Sequence, residues 1–143
     1  MTLRPITKRG FTEPWSVPAD AVDEKHPFLR WRAKDFRFSG SWSSRLKDRG
    51  YHANHLHPAG WISSAFYIAL PDTVRDHETR QGWIKFGEPS FAVDLSDPVR
   101  RAVQPRVGRL VLFPSYMWHG TIPFQAAQNR TTIAFDAIPV DQA

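Results

Sequence analysis

The chain has 143 residues, 41% of them hydrophobic and 23% charged, a balance that supports one domain with a real core and excludes a disordered polymer. It contains no cysteine, which excludes disulfides, thiolate-bound zinc, iron–sulfur clusters and thiol nucleophiles and leaves any metal to nitrogen and oxygen ligands. The formal net charge of +5 is scattered rather than gathered into a run of like charges, so a nucleic-acid surface is not expected.

No apolar stretch approaches the roughly 18 residues of a membrane span. Met1-Thr2-Leu3-Arg4-Pro5 has no apolar core of a secretory signal, so a cytoplasmic location without membrane partners is expected. Residues 1–35 are punctuated by Pro5, Gly10, Pro14, Pro18 and Pro27 and read as an irregular arm or linker, with one short helix expected over Pro18–Lys25. Residues 36–143 read as the folded domain.

Strand signals follow in chain order: Phe36–Ser43, Tyr51–His57, Trp61–Leu70, Trp83–Phe86, a weaker Arg101–Gln104, Gly108–Phe113, Gly120–Pro123 and Arg130–Ile138. Four consecutive apolar residues, Leu110–Phe113, predict burial on both faces of that strand. On the last strand, alternation puts Arg130, Thr132 and Asp136 on one face and Ile133 and Phe135 on the other. About eight strands with almost no helix between them predict an all-β, mostly antiparallel domain, most economically a cupin-like jelly roll.

Six histidines are present. His55 and His57 are two apart on a predicted strand, hence on one face with Cα atoms roughly 6.5 Å apart, near enough to converge on one ion. His119, beyond the strand ending at Phe113, completes a candidate set of three, which leaves open positions on an octahedral ion. Histidines in this pattern also serve merely to bond carbonyls. By the same parity His52 points away from His55, and His26 and His77 sit in irregular polar context, so these three are left outside the set.

Arg130 opens an apolar strand with Thr132 one period later. An inward arginine is costly unless an anion meets it, and its fork suits a carboxylate with a hydroxyl alongside; an arginine that reaches back to solvent is the alternative.

Taken together these motifs resemble the 2-oxoglutarate and Fe(II)-dependent oxygenase superfamily, and within it a small group of bacterial and phage oxygenases. The resemblance runs through His55-Leu56-His57-Pro58, the Ser-rich Ile62–Ile68 with Tyr67, Gly82–Pro89, Gly108–His119 and Arg130–Asp136, and covers about residues 36–139. It implies a double-stranded β-helix with iron held by His55, His57 and His119, and 2-oxoglutarate chelating that iron. The cosubstrate's distal carboxylate would pair with Arg130, helped by Thr132, with the hydroxyls of Tyr51 and Tyr67 within reach. No catalytic side chain beyond the metal ligands is implied, and the substrate, a small molecule or a protein side chain, is not named by the sequence. Most of the superfamily carries an acidic residue where His57 stands. Members of the group also end longer chains of tetratricopeptide repeats, which leaves open what residues 1–35 connect to. Two other readings stay open: a three-histidine cupin-like metalloenzyme that does not use 2-oxoglutarate, and a non-catalytic jelly-roll binding module.

Overall fold

A computed structural model describes residues 23–31, 33, 35–92 and 99–140. Most of the helix expected over 18–25 lies outside them, and the described part, residues 23–25, enters a turn. The described chain forms β1 (Asp35–Leu46), β2 (Ile62–Ala69), β3 (Ile84–Phe86), β4 (Arg101–Val103), β5 (Leu110–Pro114), β6 (His119–Thr121) and β7 (Arg130–Val140), with a single 3-10 turn at Asp72–Arg75.

The strands build a four-stranded sheet, β1-β7-β2-β5, and a three-stranded sheet, β4-β3-β6. Every strand pairing is antiparallel. This is the expected all-β jelly roll.

The two sheets meet on an apolar core of Ile84, Phe86 and Phe113, with Ala65, Val103, Val111 and Met117 around it. Phe86 and Phe113 pack edge to face, ring centroids 5.1 Å apart, the arrangement aromatic pairs favour. Behind β3, the Trp83 indole donates to the Val74 carbonyl at 2.9 Å. The 3-10 turn is thereby tied to the sheet.

Two expectations need correcting. Leu112 is 46% exposed, so β5 is not buried on both faces. Its inner face carries Val111 and Phe113, while Leu112 joins Phe36, Phe38, Ile62, Leu110 and Phe135 on an apolar outer groove that no other described residue covers. An apolar run shows that a strand tolerates burial; what covers its second face is a tertiary matter.

The segment 51–57 is not a strand. It makes one isolated antiparallel bridge, His55 to His119, and seven strands rather than eight are found among the described residues. At that bridge His55 and His119 exchange both backbone hydrogen bonds, and the next bond comes from Thr121 N to His52 O. Three steps on one side thus oppose two on the other, a bulge with an extra residue at Ala53–Asn54.

Truncation of the two neighbouring β5 residues should separate core from surface. Phe113→Ala is expected to cost about 3–5 kcal/mol and Leu112→Ala well under half of that, read as the shift in urea midpoint at unchanged slope.

Candidate metal centre

The bulge decides which side chains enter the site. Because it adds one residue between His52 and His55, side-chain parity reverses across it. His52 therefore joins His55 in lining the cavity between the sheets, against the expectation that it points away. Tyr51 turns outward and is 56% exposed. It lies outside the cavity lining, so its expected reach toward a cosubstrate rested on a parity the chain does not keep. Asn54 sits against Gly120: a Cβ at position 120 would come within 2.4 Å of Asn54 Oδ1 and 3.0 Å of His52 O. Only glycine permits that approach.

His55, His57 and His119 come together. One ring nitrogen from each lies within 4.8 Å of the others, and the ring centroids are 4.3 to 5.2 Å apart. Each Nδ1 faces an acceptor: Ala53 O at 2.7 Å for His55, Met117 O at 3.0 Å for His119 and Asp136 Oδ2 at 2.5 Å for His57. Acceptors there place the proton on Nδ1 and leave the three Nε2 lone pairs free, the arrangement metal-binding imidazoles show. Burial pushes His119 down to about 4, with the His55 and His57 charges adding to the effect. It is neutral at physiological pH, as a ligand must be.

Arg130 is 2% exposed. Its Nε donates to the Gly82 carbonyl at 3.0 Å, presented by a glycine at φ +74° packed against Val74. The guanidinium lies 5.2 Å over the Tyr67 ring, and Tyr67 is fully buried. Arg130 Nη1 and Tyr67 Oη have no hydrogen-bond partner. Buried donors are ordinarily paired, so Arg130 Nη1, in the cavity lining, offers a place for an acceptor; Tyr67, like Tyr51, is not in that lining and packs beneath the guanidinium.

Arg130 and Thr132 line the same cavity as the three histidines, and Arg130 is the one permanently charged side chain in the lining. Beside them His52 bridges Ser44 Oγ at 2.9 Å and Thr121 Oγ1 at 3.2 Å. Burial pushes His52 down to about 4, and the Arg130 charge and then His55 act in the same direction. The loop 72–81 packs through Val74 against Gly82, which in turn abuts the Arg130 side chain. Phe91 and Trp118 meet edge to face one residue from His119.

Sequence reasoning missed His52, Ser44, Thr121 and the role of Asp136. For Asp136 a signal was present, since β7 alternation sets it on the Arg130 and Thr132 face; for His52 none was, since the bulge is invisible in the sequence.

The site's chemistry is thus a set of three convergent imidazole nitrogens and, in the same cavity, a buried guanidinium whose Nη1 has no partner. Residues 40–136 match the family model described as "Putative 2OG-Fe(II) oxygenase", and the chain belongs to that family. No curated protein matches it.

Among solved structures, the chain is similar to an oxidoreductase of the 2OG-Fe(II) oxygenase family from Burkholderia pseudomallei. Identity is 12% and the TM-score 0.58, over 80% of this chain and 49% of that one. It is also similar to a Pseudomonas putida prolyl-4-hydroxylase, at 19% identity and TM-score 0.52, over 76% of this chain and 54% of that one. At such identities the likeness is one of fold, and the chain spans about half the length of these two structures. Among the described residues no helix is long and apolar enough to cross a membrane.

The depressed imidazoles give a pH expectation. Their folded values near 4 lie below the ordinary 6.5, so as pH falls the unfolded chain takes up protons first. Stability is full above about 6.5 and is lost as pH falls toward 4. In urea unfolding of metal-free protein between pH 7 and 4.5, His52→Gln should flatten that loss.

Proposed function

We propose that the protein is an Fe(II)- and 2-oxoglutarate-dependent dioxygenase that hydroxylates a small molecule or a protein side chain. One observation carries the reading: a single cavity holds three convergent imidazoles and a buried guanidinium with an unpartnered Nη1. Family membership supports the same pair of cofactors.

In this reading His55, His57 and His119 hold the iron through Nε2, each ring fixed by its Nδ1 bond. Arg130 Nη1 binds the distal carboxylate of 2-oxoglutarate, with Thr132 on the same strand face alongside and the Tyr67 ring packed under the guanidinium. A carboxylate there satisfies the orphaned Nη1 and offsets the burial of the Arg130 charge. His52 has both ring nitrogens engaged by Ser44 and Thr121; it walls the cavity as a neutral group and does not compete for the anion.

Trp42 lines the same cavity and lies against the His57 ring at 5.7 Å. Bound together, iron and 2-oxoglutarate supply the oxidising chemistry: dioxygen is reduced, 2-oxoglutarate is converted to succinate and carbon dioxide, and one oxygen atom enters a C–H bond of the substrate. The protein's part is to orient the reactants and exclude water.

A three-histidine centre working without 2-oxoglutarate would leave Arg130 Nη1 buried and unpartnered, and a binding module would need none of the imidazole convergence. The test is an anaerobic titration of iron-loaded protein with 2-oxoglutarate. A visible charge-transfer band should appear and saturate, and succinate should form once air is admitted. Arg130→Gln is expected to weaken 2-oxoglutarate by at least about tenfold, the loss of one charge-assisted bond, with iron affinity unchanged. No band and no succinate, or equal affinity in the variant, would refute the cosubstrate assignment.

A further inference from the structure

Of the three imidazoles, two donate Nδ1–H to neutral backbone carbonyls, Ala53 O and Met117 O. His57 alone donates to a carboxylate, Asp136. His57 is also the residue standing where most of the superfamily has an acidic ligand. A divalent ion held by two histidines and a carboxylate carries a net charge of +1; held by three neutral histidines it carries +2.

Resting on the metal-centre reading above, we propose that Asp136 is a positioning residue that returns the missing negative charge to the centre through His57. It makes His57 an imidazolate-like ligand and holds its ring in the coordinating pose.

Several observations converge on this role. Asp136 lies on the inner face of β7, directly opposite Ser63 of β2 in the strand register. Ser63 Oγ donates to Asp136 Oδ1 at 2.7 Å and lies 2.9 Å from Ser115 Oγ. Ser63 and Ser115 are 1% and 0% exposed, so this part of the carboxylate's support is closed to solvent and cannot be remade by water. With Oδ1 held by Ser63, Oδ2 is left for His57 Nδ1.

The imidazole and carboxylate side chains are only 17% and 15% exposed, so the pair is weakly screened. Trp42 packs against the same ring at 32°. A carboxylate on Nδ1 raises the basicity of Nε2 and fixes the tautomer, as outer-shell carboxylates do for metal-bound histidine. The competing role is a structural ion pair with a doubly protonated His57. There Nε2 would carry a hydrogen and could not ligate a metal ion, so the two roles part on metal binding.

The experiment is a titration with Co(II) alone, followed by its visible absorption, on wild type, Asp136→Asn, His57→Ala and the double variant. It is joined by a measurement of the Fe(III)/Fe(II) midpoint potential. Asp136→Asn keeps the shape and removes the charge; it is expected to weaken Co(II) about 10- to 100-fold and to raise the midpoint potential. In the His57→Ala background the same change should have no further effect on Co(II), because the route through His57 is gone.

Ser63→Ala, which leaves the charge and loosens its support, should show a smaller loss in the same direction and stands in if the asparagine variant does not fold. Equal Co(II) affinity and potential in Asp136→Asn, or an equal loss with and without His57, would overturn the proposal. Failure of the metal centre itself would look different: wild type and a His55→Ala, His119→Ala variant would then bind Co(II) alike, and both readings would fall.

Discussion

Two backbone hydrogen bonds hold the rest of the site in place. His55 N bonds His119 O and His119 N bonds His55 O, each at 2.9 Å. They fasten the loop between β1 and β2 onto β6, and the three imidazoles depend on that junction. His57 follows two residues on, anchored by its own N to Ser115 O at 2.9 Å. Because these bonds are made by the main chain, no side chain is spent on building the junction, and every imidazole Nδ1 remains available for its own partner. The close approach they require is what forbids a Cβ at position 120. The bulge they enforce at Ala53–Asn54 turns His52 into the cavity.

From this junction the charge layout follows. β7 is the central strand between β1 and β2 and carries both ionic groups of the site, Arg130 and Asp136, on its inward face. Each is unusual for a buried charge in a different way. Arg130 has a neutral carbonyl for Nε, a ring beneath it and no partner for Nη1, an incomplete arrangement that an anion completes. Asp136 is complete already, with a serine on one oxygen and an imidazole on the other. One end of the strand awaits a ligand, and the other shapes the group that would hold a metal.

Much of the fold could be read from residue patterns, and where reading failed the failures share a cause. β2, β5 and β7 lie within a residue or two of their predicted bounds because alternation and turn residues mark them locally. Parity on β7 holds because the strand is continuous and paired on both sides. Parity across 51–57 fails because one extra residue opposite β6 reverses it, and nothing in Ala53 or Asn54 announces a bulge. That single slip moved Tyr51 out to solvent and His52 in. Likewise Leu112 looked buried on composition, yet its face of the sheet has no cover among the described residues.

The sequence by itself determined the chemical inventory: no thiol, three histidines at the spacing of a facial set, and an arginine and threonine two apart on an apolar strand. It also determined the all-β class, since period-two patterning and proline-rich turns admit little else. Only the tertiary structure decided which nitrogen of each imidazole is free, that Arg130 is buried with its Nη1 unpartnered, and that His57 rather than His55 or His119 receives the carboxylate. The partners of Asp136 lie 73 and 79 residues away along the chain. Hydrogen-bond pairing over such separations is set by strand register and loop closure, which no local pattern of residues encodes.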